Sequence, residues 1–259
     1  MTRTRAEFAT AVRPFGPNGQ LLPAHLPAFN ALADVLGLPA DAAAPNAPPP
    51  QVGLSAQDFA QVAAKLGCSV AQIRAVWEVE SGGGWFTDVR ANILDLDGPG
   101  GFIDGPNLPK ILFEAHIFDR QTGGRFRKDY PNLSSARWNR ALYVGGVGEW
   151  ERLNRAMQLD RTAALMSASV GGAQIMGFNF KLAGFPTVDA MWAAMKTSER
   201  AHLDAFAAFI TASGLAVALR KISTTHADCI AFASGYNGSG YAANEYHVKI
   251  ARAFAKWSK

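Results

Sequence analysis

The chain has 259 residues, 49% hydrophobic and 18% charged, which excludes a disordered or fibrous polypeptide and allows a sizeable core in one large domain or two smaller ones. A net charge of +4, with an isoelectric point of about 9.2, is mild; it suits an anionic polymer or membrane surface and does not call for nucleic acid. Cys68 and Cys229 lie far apart in apolar helical patterns and read as buried thiols, not as a disulfide or a metal cage.

The opening residues, MTRTRAEFATAV, lack a long apolar core and a small-residue cleavage site, so no ordinary cleaved export signal is expected. Thr4 with Glu7 makes a capping box, and Phe8, Val12 and Phe15 follow at helical spacing. Pro14, Gly16, Pro17 and Gly19 break the chain. A second stripe, Leu22, Leu26, Phe29, Leu32 and Leu36, ends at Gly37. Residues 1–38 thus read as a short helix–loop–helix module. PADAAAPNAPPP then has no hydrophobic period and reads as a semi-rigid linker over 39–51, which leaves 52–259 as the main domain.

The main domain is mostly helical in pattern. Ser55 is placed as an N-cap, Phe59, Val62 and Leu66 form a stripe, and Gly67 stops the helix. Ser69 with Gln72 opens a second helix that runs to about Ser81. The Gly- and Asp-rich stretch 82–109 cannot be a long helix, and 110–114 is the best strand. Further helices are expected near 116–121, 148–158, 160–169, 188–213, 226–235 and 243–257, the last with Tyr246, Ile250, Phe254 and Trp257 on one face. The longest uncharged stretch, 163–180, is broken by glycines, serines, Gln174 and Asn179 and does not read as a membrane span.

The second helix carries the chemistry. At 100° per residue Ile73, Val76, Trp77 and Glu80 share one face, whereas Glu78 points elsewhere. An apolar stripe that ends in a carboxyl desolvates it, and the helix C-terminus adds partial negative charge; both raise its pKa. Such a carboxyl stays protonated near neutrality, as a general acid for glycosidic cleavage must. The alternative is a helix-terminal Glu that reaches solvent or pairs with an Arg. Three glycines, 82–84, follow and leave an open backbone for a bulky polymer.

Glu80-Ser81-Gly82-Gly83, Pro109-Lys110-Ile111-Leu112-Phe113-Glu114-Ala115-His116-Ile117-Phe118, Thr122-Gly123-Gly124-Arg125-Phe126, Gln174-Ile175-Met176-Gly177 and Tyr236-Asn237-Gly238 stand in this order. Together they resemble the N-acetylmuramidase family of bacteriophage endolysins, within the lysozyme-like superfamily, over most of 55–259. The resemblance implies a mainly α, lysozyme-like, two-lobed fold with a small β-hairpin region. It implies cleavage of the β-1,4 bond between N-acetylmuramic acid and N-acetylglucosamine in peptidoglycan, and so host cell lysis. Glu80 matches the family's catalytic glutamate. Gln174, Tyr236 and Asn237 match elements that flank the glycan cleft, and Ser81 joins them as a substrate contact. The family commonly has a Trp-Gly pair before Gln-Ile-Met, where this chain has Gly171-Gly172-Ala173; a stacking ring is missing there.

A hydrolase needs a second group to activate water or steady the transition state. Glu114 and Asp104 are the main candidates, with Asp88, Asp95 and Asp97 behind them. Without one, the sugar's own hydroxyl attacks, which is lytic transglycosylation. A non-catalytic wall-binding or virion protein is the other alternative. No metal or other cofactor is expected: His116, His202, His226 and His247 are scattered, and no zinc motif exists. The expected partners are peptidoglycan glycan strands and, through the basic face of the last helix (Lys249, Arg252, Lys256, Lys259), an anionic outer-membrane or lipid surface. A monomer is expected, held in the host cytoplasm until lysis and then acting at the wall; residues 1–38 would be either a wall-binding module or a hairpin docked on the main domain.

Overall fold

The computed structural model describes residues 53–81, 86–89 and 105–259, together with Ala28, Leu32, Val35 and Leu36; for Ser81, 86–89 and 105–107 it describes the backbone alone. The expected linker and most of the N-terminal module lie outside the described residues. Within that module Ala28, Leu32 and Val35 are helical, and Leu32, Val35 and Leu36 are exposed.

Helix α1 (Ala56–Leu66) starts at a closed capping box. Ser55 Oγ accepts from the Asp58 N–H at 3.1 Å, and the Asp58 carboxylate accepts from the Ser55 N–H at 2.8 Å. Gly67, at φ +65°, ends it in the left-handed conformation that glycine adopts without strain. Helix α2 (Val70–Ser81) starts the same way, with Gln72 N–H on Ser69 Oγ at 3.2 Å and Ser69 N–H on Gln72 Oε1 at 2.9 Å. The two stripes expected from spacing, Phe59/Val62/Leu66 and Ile73/Val76/Trp77, are buried in one core.

A hairpin follows in the stretch that composition marked only as non-helical. Strand β1 (Phe86–Val89) pairs antiparallel with β2 (Gly105–Pro109), with a register shift between Thr87 and Val89. Strand β3 (Ile111–Phe113) falls where expected and leads into α3 (Ala115–Gln121), then α4 (Val147–Leu159) and α5 (Arg161–Met166). The expected 160–169 helix stops at Met166, because Ala168–Val170 forms β4, paired with β3 (Ile111↔Val170, Phe113↔Ala168). Strand β5 (Ile175–Met176) completes this three-stranded antiparallel sheet.

The expected single helix over 188–213 is two, α6 (Val188–Met195) and α7 (Glu199–Ala212). Ser198 restarts the second by accepting from the Ala201 N–H at 3.1 Å. A short helix that the periodicity did not reveal, α8 (Ala216–Arg220), precedes α9 (His226–Asn237) and α10 (Tyr246–Trp257). The molecule is mainly α with small antiparallel sheets. Cys68 and Cys229 are free thiols. No helix is long and apolar enough to cross a membrane among the described residues.

Candidate active site

Helix α10 packs along α2 and against α9, and this meeting of three helices encloses Glu80. Arg74 of α2 lies over the rings of Phe59 (4.4 Å) and Trp257 (4.6 Å). Glu78 accepts from both Lys256 Nζ and Trp257 Nε1 at 2.8 Å. The far end of α10 is therefore fastened to α2, and its near end brings Tyr246 over Glu80.

Glu80 retains partial exposure as a residue, but its Oε1 is buried and has no hydrogen-bond partner. Burial pushes its pKa up to about 7, while the Tyr246 hydroxyl and the Asn237 side chain pull weakly the other way. Among the described residues Glu80 has no Arg partner. The apolar wall beneath is Trp77, edge-on to Phe59 (6.4 Å) and Phe206 (6.0 Å).

Tyr236 stands beside Glu80 among the rings of Phe206, Phe209 and Phe232, stacked on the last at 5.5 Å. Burial, with the nearby Glu80 charge, holds its phenol far above the usual range. Its hydroxyl donates to the Ala173 carbonyl at 2.7 Å. Tyr236 so ties α9 to the β4–β5 turn. Asn237 ends α9 and is exposed, and Gly238 follows at φ +65°. Tyr246 is also held protonated, by burial first and then by the Glu80 charge.

The turn itself is tightly built. Gln174 sits at φ +47°, and its amide is engaged within the turn: Oε1 accepts from Ser169 Oγ (2.9 Å), and Nε2 donates to the carbonyls of Gly171 (2.7 Å) and Lys110 (3.2 Å). Buried His202 accepts from the Gly172 N–H at Nδ1 (3.1 Å) and bonds the Met195 carbonyl at Nε2 (2.6 Å). This fixes the neutral tautomer, and burial lowers its pKa.

Glu114 belongs to a different network. It precedes α3, accepts a hydrogen bond from the Tyr143 hydroxyl, and has an oxygen 3.2 Å from His116 Nδ1. Burial, then the bond to Glu114, raises the Tyr143 pKa. Asp104, Asp95 and Asp97 lie outside the described residues, as do the side chains of Ser81 and Asp88. Sequence reasoning missed Tyr246, which it placed only as one more ring in an apolar stripe. Its signal was a hydroxyl on a buried face, which requires a polar neighbour. Among the described residues no three of His, Cys, Asp and Glu come close enough to hold a metal ion.

A family model described as N-acetylmuramidase matches residues 69–258. The crystal structure of a Burkholderia AP3 phage endolysin is similar at 32% identity and a TM-score of 0.64, over 98% of this chain and 93% of that one. No curated protein matches the sequence significantly.

Proposed function

The chain belongs to the N-acetylmuramidase family, as a lysozyme-type glycoside hydrolase of the phage endolysin kind, and on that premise we propose that Glu80 is the general acid that cleaves the β-1,4 bond between N-acetylmuramic acid and N-acetylglucosamine in peptidoglycan. The observation that carries this reading is a carboxyl with a buried oxygen and no cationic partner among the described residues, and with its pKa near 7. At neutral pH about half of such a group is protonated and can donate to the glycosidic oxygen as the bond breaks.

Asn237, exposed at the end of α9, is the substrate contact next to the acid. Tyr236 and Gln174 act by position: one joins α9 to the β4–β5 turn, the other holds that turn in its strained form. Once the oxygen is protonated, an oxocarbenium-like transition state is attacked by water. Glu114 or Asp104 is the group proposed to assist that step. Among the described residues, the network around Glu80 holds no second carboxyl. This favours a second reading, in which the sugar's own 6-hydroxyl attacks and one carboxyl suffices.

Glu80→Gln tests the assignment. The variant should release soluble fragments from purified cell walls at least about a hundredfold more slowly, the usual worth of a general acid. A folded variant with near-normal activity sinks the assignment. Mass spectrometry of wild-type products separates the two readings: reducing muramic ends mean hydrolysis, and 1,6-anhydro ends mean attack by the sugar.

A further inference from the structure

Around Glu114, an exposed ring and a polar cleft lie along one connected surface. Trp138 is 59% exposed, and its ring lies 6.2 Å from that of Tyr143. The Tyr143 hydroxyl donates to Glu114, and Glu114 lies 3.2 Å from His116 Nδ1. His116 in turn lines a cleft of about 400 Å³ with Asp119, Arg120, Arg127, Gly124 and Ala136. The strip thus runs from an indole face to two guanidinium groups without a break in contacts.

The charges in the cleft are unequal in freedom. Arg127 is held by the buried Asp119 through Nε–Oδ1 at 2.9 Å and Nη2–Oδ2 at 2.6 Å, and Ser134 Oγ adds a third bond to that carboxylate at 2.8 Å. His116 stands against Glu114. Arg120 is exposed and has no carboxylate partner among the described residues. Gly124, at φ +75°, keeps the floor bare, since a Cβ there would come within 3.1 Å of Arg127 Nη2. One cation without a carboxylate partner among the described residues, in a cleft it shares with the Asp119 carboxylate, suits a single negative charge better than a doubly charged phosphate. An exposed indole offers a flat apolar face, and sugar rings present flat C–H faces.

We infer that this strip is a second peptidoglycan subsite, in which Trp138 stacks on a sugar ring and Arg120 takes a carboxylate of the peptide borne by the muramoyl unit. It rests on peptidoglycan being the substrate, and it is independent of whether Glu80 is the acid. Trp138 and Arg120 hold the strand and do not take part in the bond-breaking step, so their signature is in KM.

The test compares two substrates: glycan strands with their peptides, and the same strands stripped of peptide. Wild type should show the lower KM on the peptide-bearing strands. Arg120→Ala should raise that KM about tenfold, as loss of a charge-assisted hydrogen bond would, and so collapse the ratio between the substrates. Arg120→Lys should keep part of the preference. Trp138→Ala should raise KM on both substrates. An unchanged KM ratio in folded Arg120→Ala overturns the carboxylate assignment, and so does inorganic phosphate that competes through Arg120 at millimolar concentration. Unchanged KM values in Trp138→Ala overturn the stacking. If Glu80→Gln were to retain full activity, the acid would be elsewhere, and the KM ratio would still report on this subsite.

Discussion

The burial that raises the Glu80 pKa also works against the fold. In the unfolded chain the group titrates near 4.5, in the folded protein near 7. Between these values the folded state binds the proton more tightly, so this stabilisation is complete below about pH 4.5 and is lost as pH rises through 7. At about 1.4 kcal/mol per pKa unit, the full loss is roughly 3.5 kcal/mol. Glu80→Gln, which cannot ionise, should therefore be more stable than wild type by up to about 3 kcal/mol at pH 8 and nearly equal to it at pH 4, by urea denaturation. Tyr246→Phe removes a hydrogen bond that favours the carboxylate, so the Glu80 pKa should rise and the alkaline limb of kcat/KM should move to higher pH. A limb that moves down or stays would mean that Tyr246 does not bond to the acid.

The element with the least tolerance is the β4–β5 turn and the segment just after it. A Cβ at Gly177 would sit 1.9 Å from the Leu165 carbonyl oxygen, which is backbone and cannot swing away. Gly177→Ala should cost about 3 kcal/mol, at the upper end of overpacking, with a matching drop in thermal midpoint. Elements set by local rules were legible in sequence. The Ser55 and Ser69 caps, the Gly67 stop and the face shared by Ile73, Val76, Trp77 and Glu80 each depend on residues within a turn or two. What could not be read depends on distant partners. Ala168–Val170 is a strand because Ile111–Phe113 lies beside it, and its own sequence looks helical. The break at Ser198 is a side-chain cap set inside a stretch whose apolar residues continue on both sides. At the site, the face that Glu80 shares with Ile73, Val76 and Trp77 was legible from its own stripe. Tyr246 was not, because its partner lies 166 positions earlier in the chain.

At the scale of the whole molecule, one ion pair holds much of the sheet side together. Glu149 is fully buried; it accepts from Arg152 (2.8 Å) and from the N–H groups of Phe113 (3.1 Å), Val144 (2.8 Å) and Gly145 (3.1 Å). Arg152 also donates to the Phe113 carbonyl at 3.0 Å and lies 5.9 Å from the Tyr143 ring. The pair joins β3, α4 and the loop before it. Arg152→Ala would leave the Glu149 charge buried without its counter-charge and should destabilise the protein by about 3–5 kcal/mol in calorimetry or denaturant titration. A loss below about 1 kcal/mol would show that water replaces the guanidinium.

The bond from Lys256 to Glu78 closes a span of 178 residues, and the pairing of Tyr246 with Glu80 is nearly as long-range. During synthesis Glu80 emerges early, as an ordinary solvated carboxylate. Its acidity changes only when the helix that begins at Tyr246 has left the ribosome and docked. The raised pKa of Glu80 is therefore a product of tertiary assembly, and a nascent chain carries an ordinary carboxylate there until the helix from Tyr246 has been made.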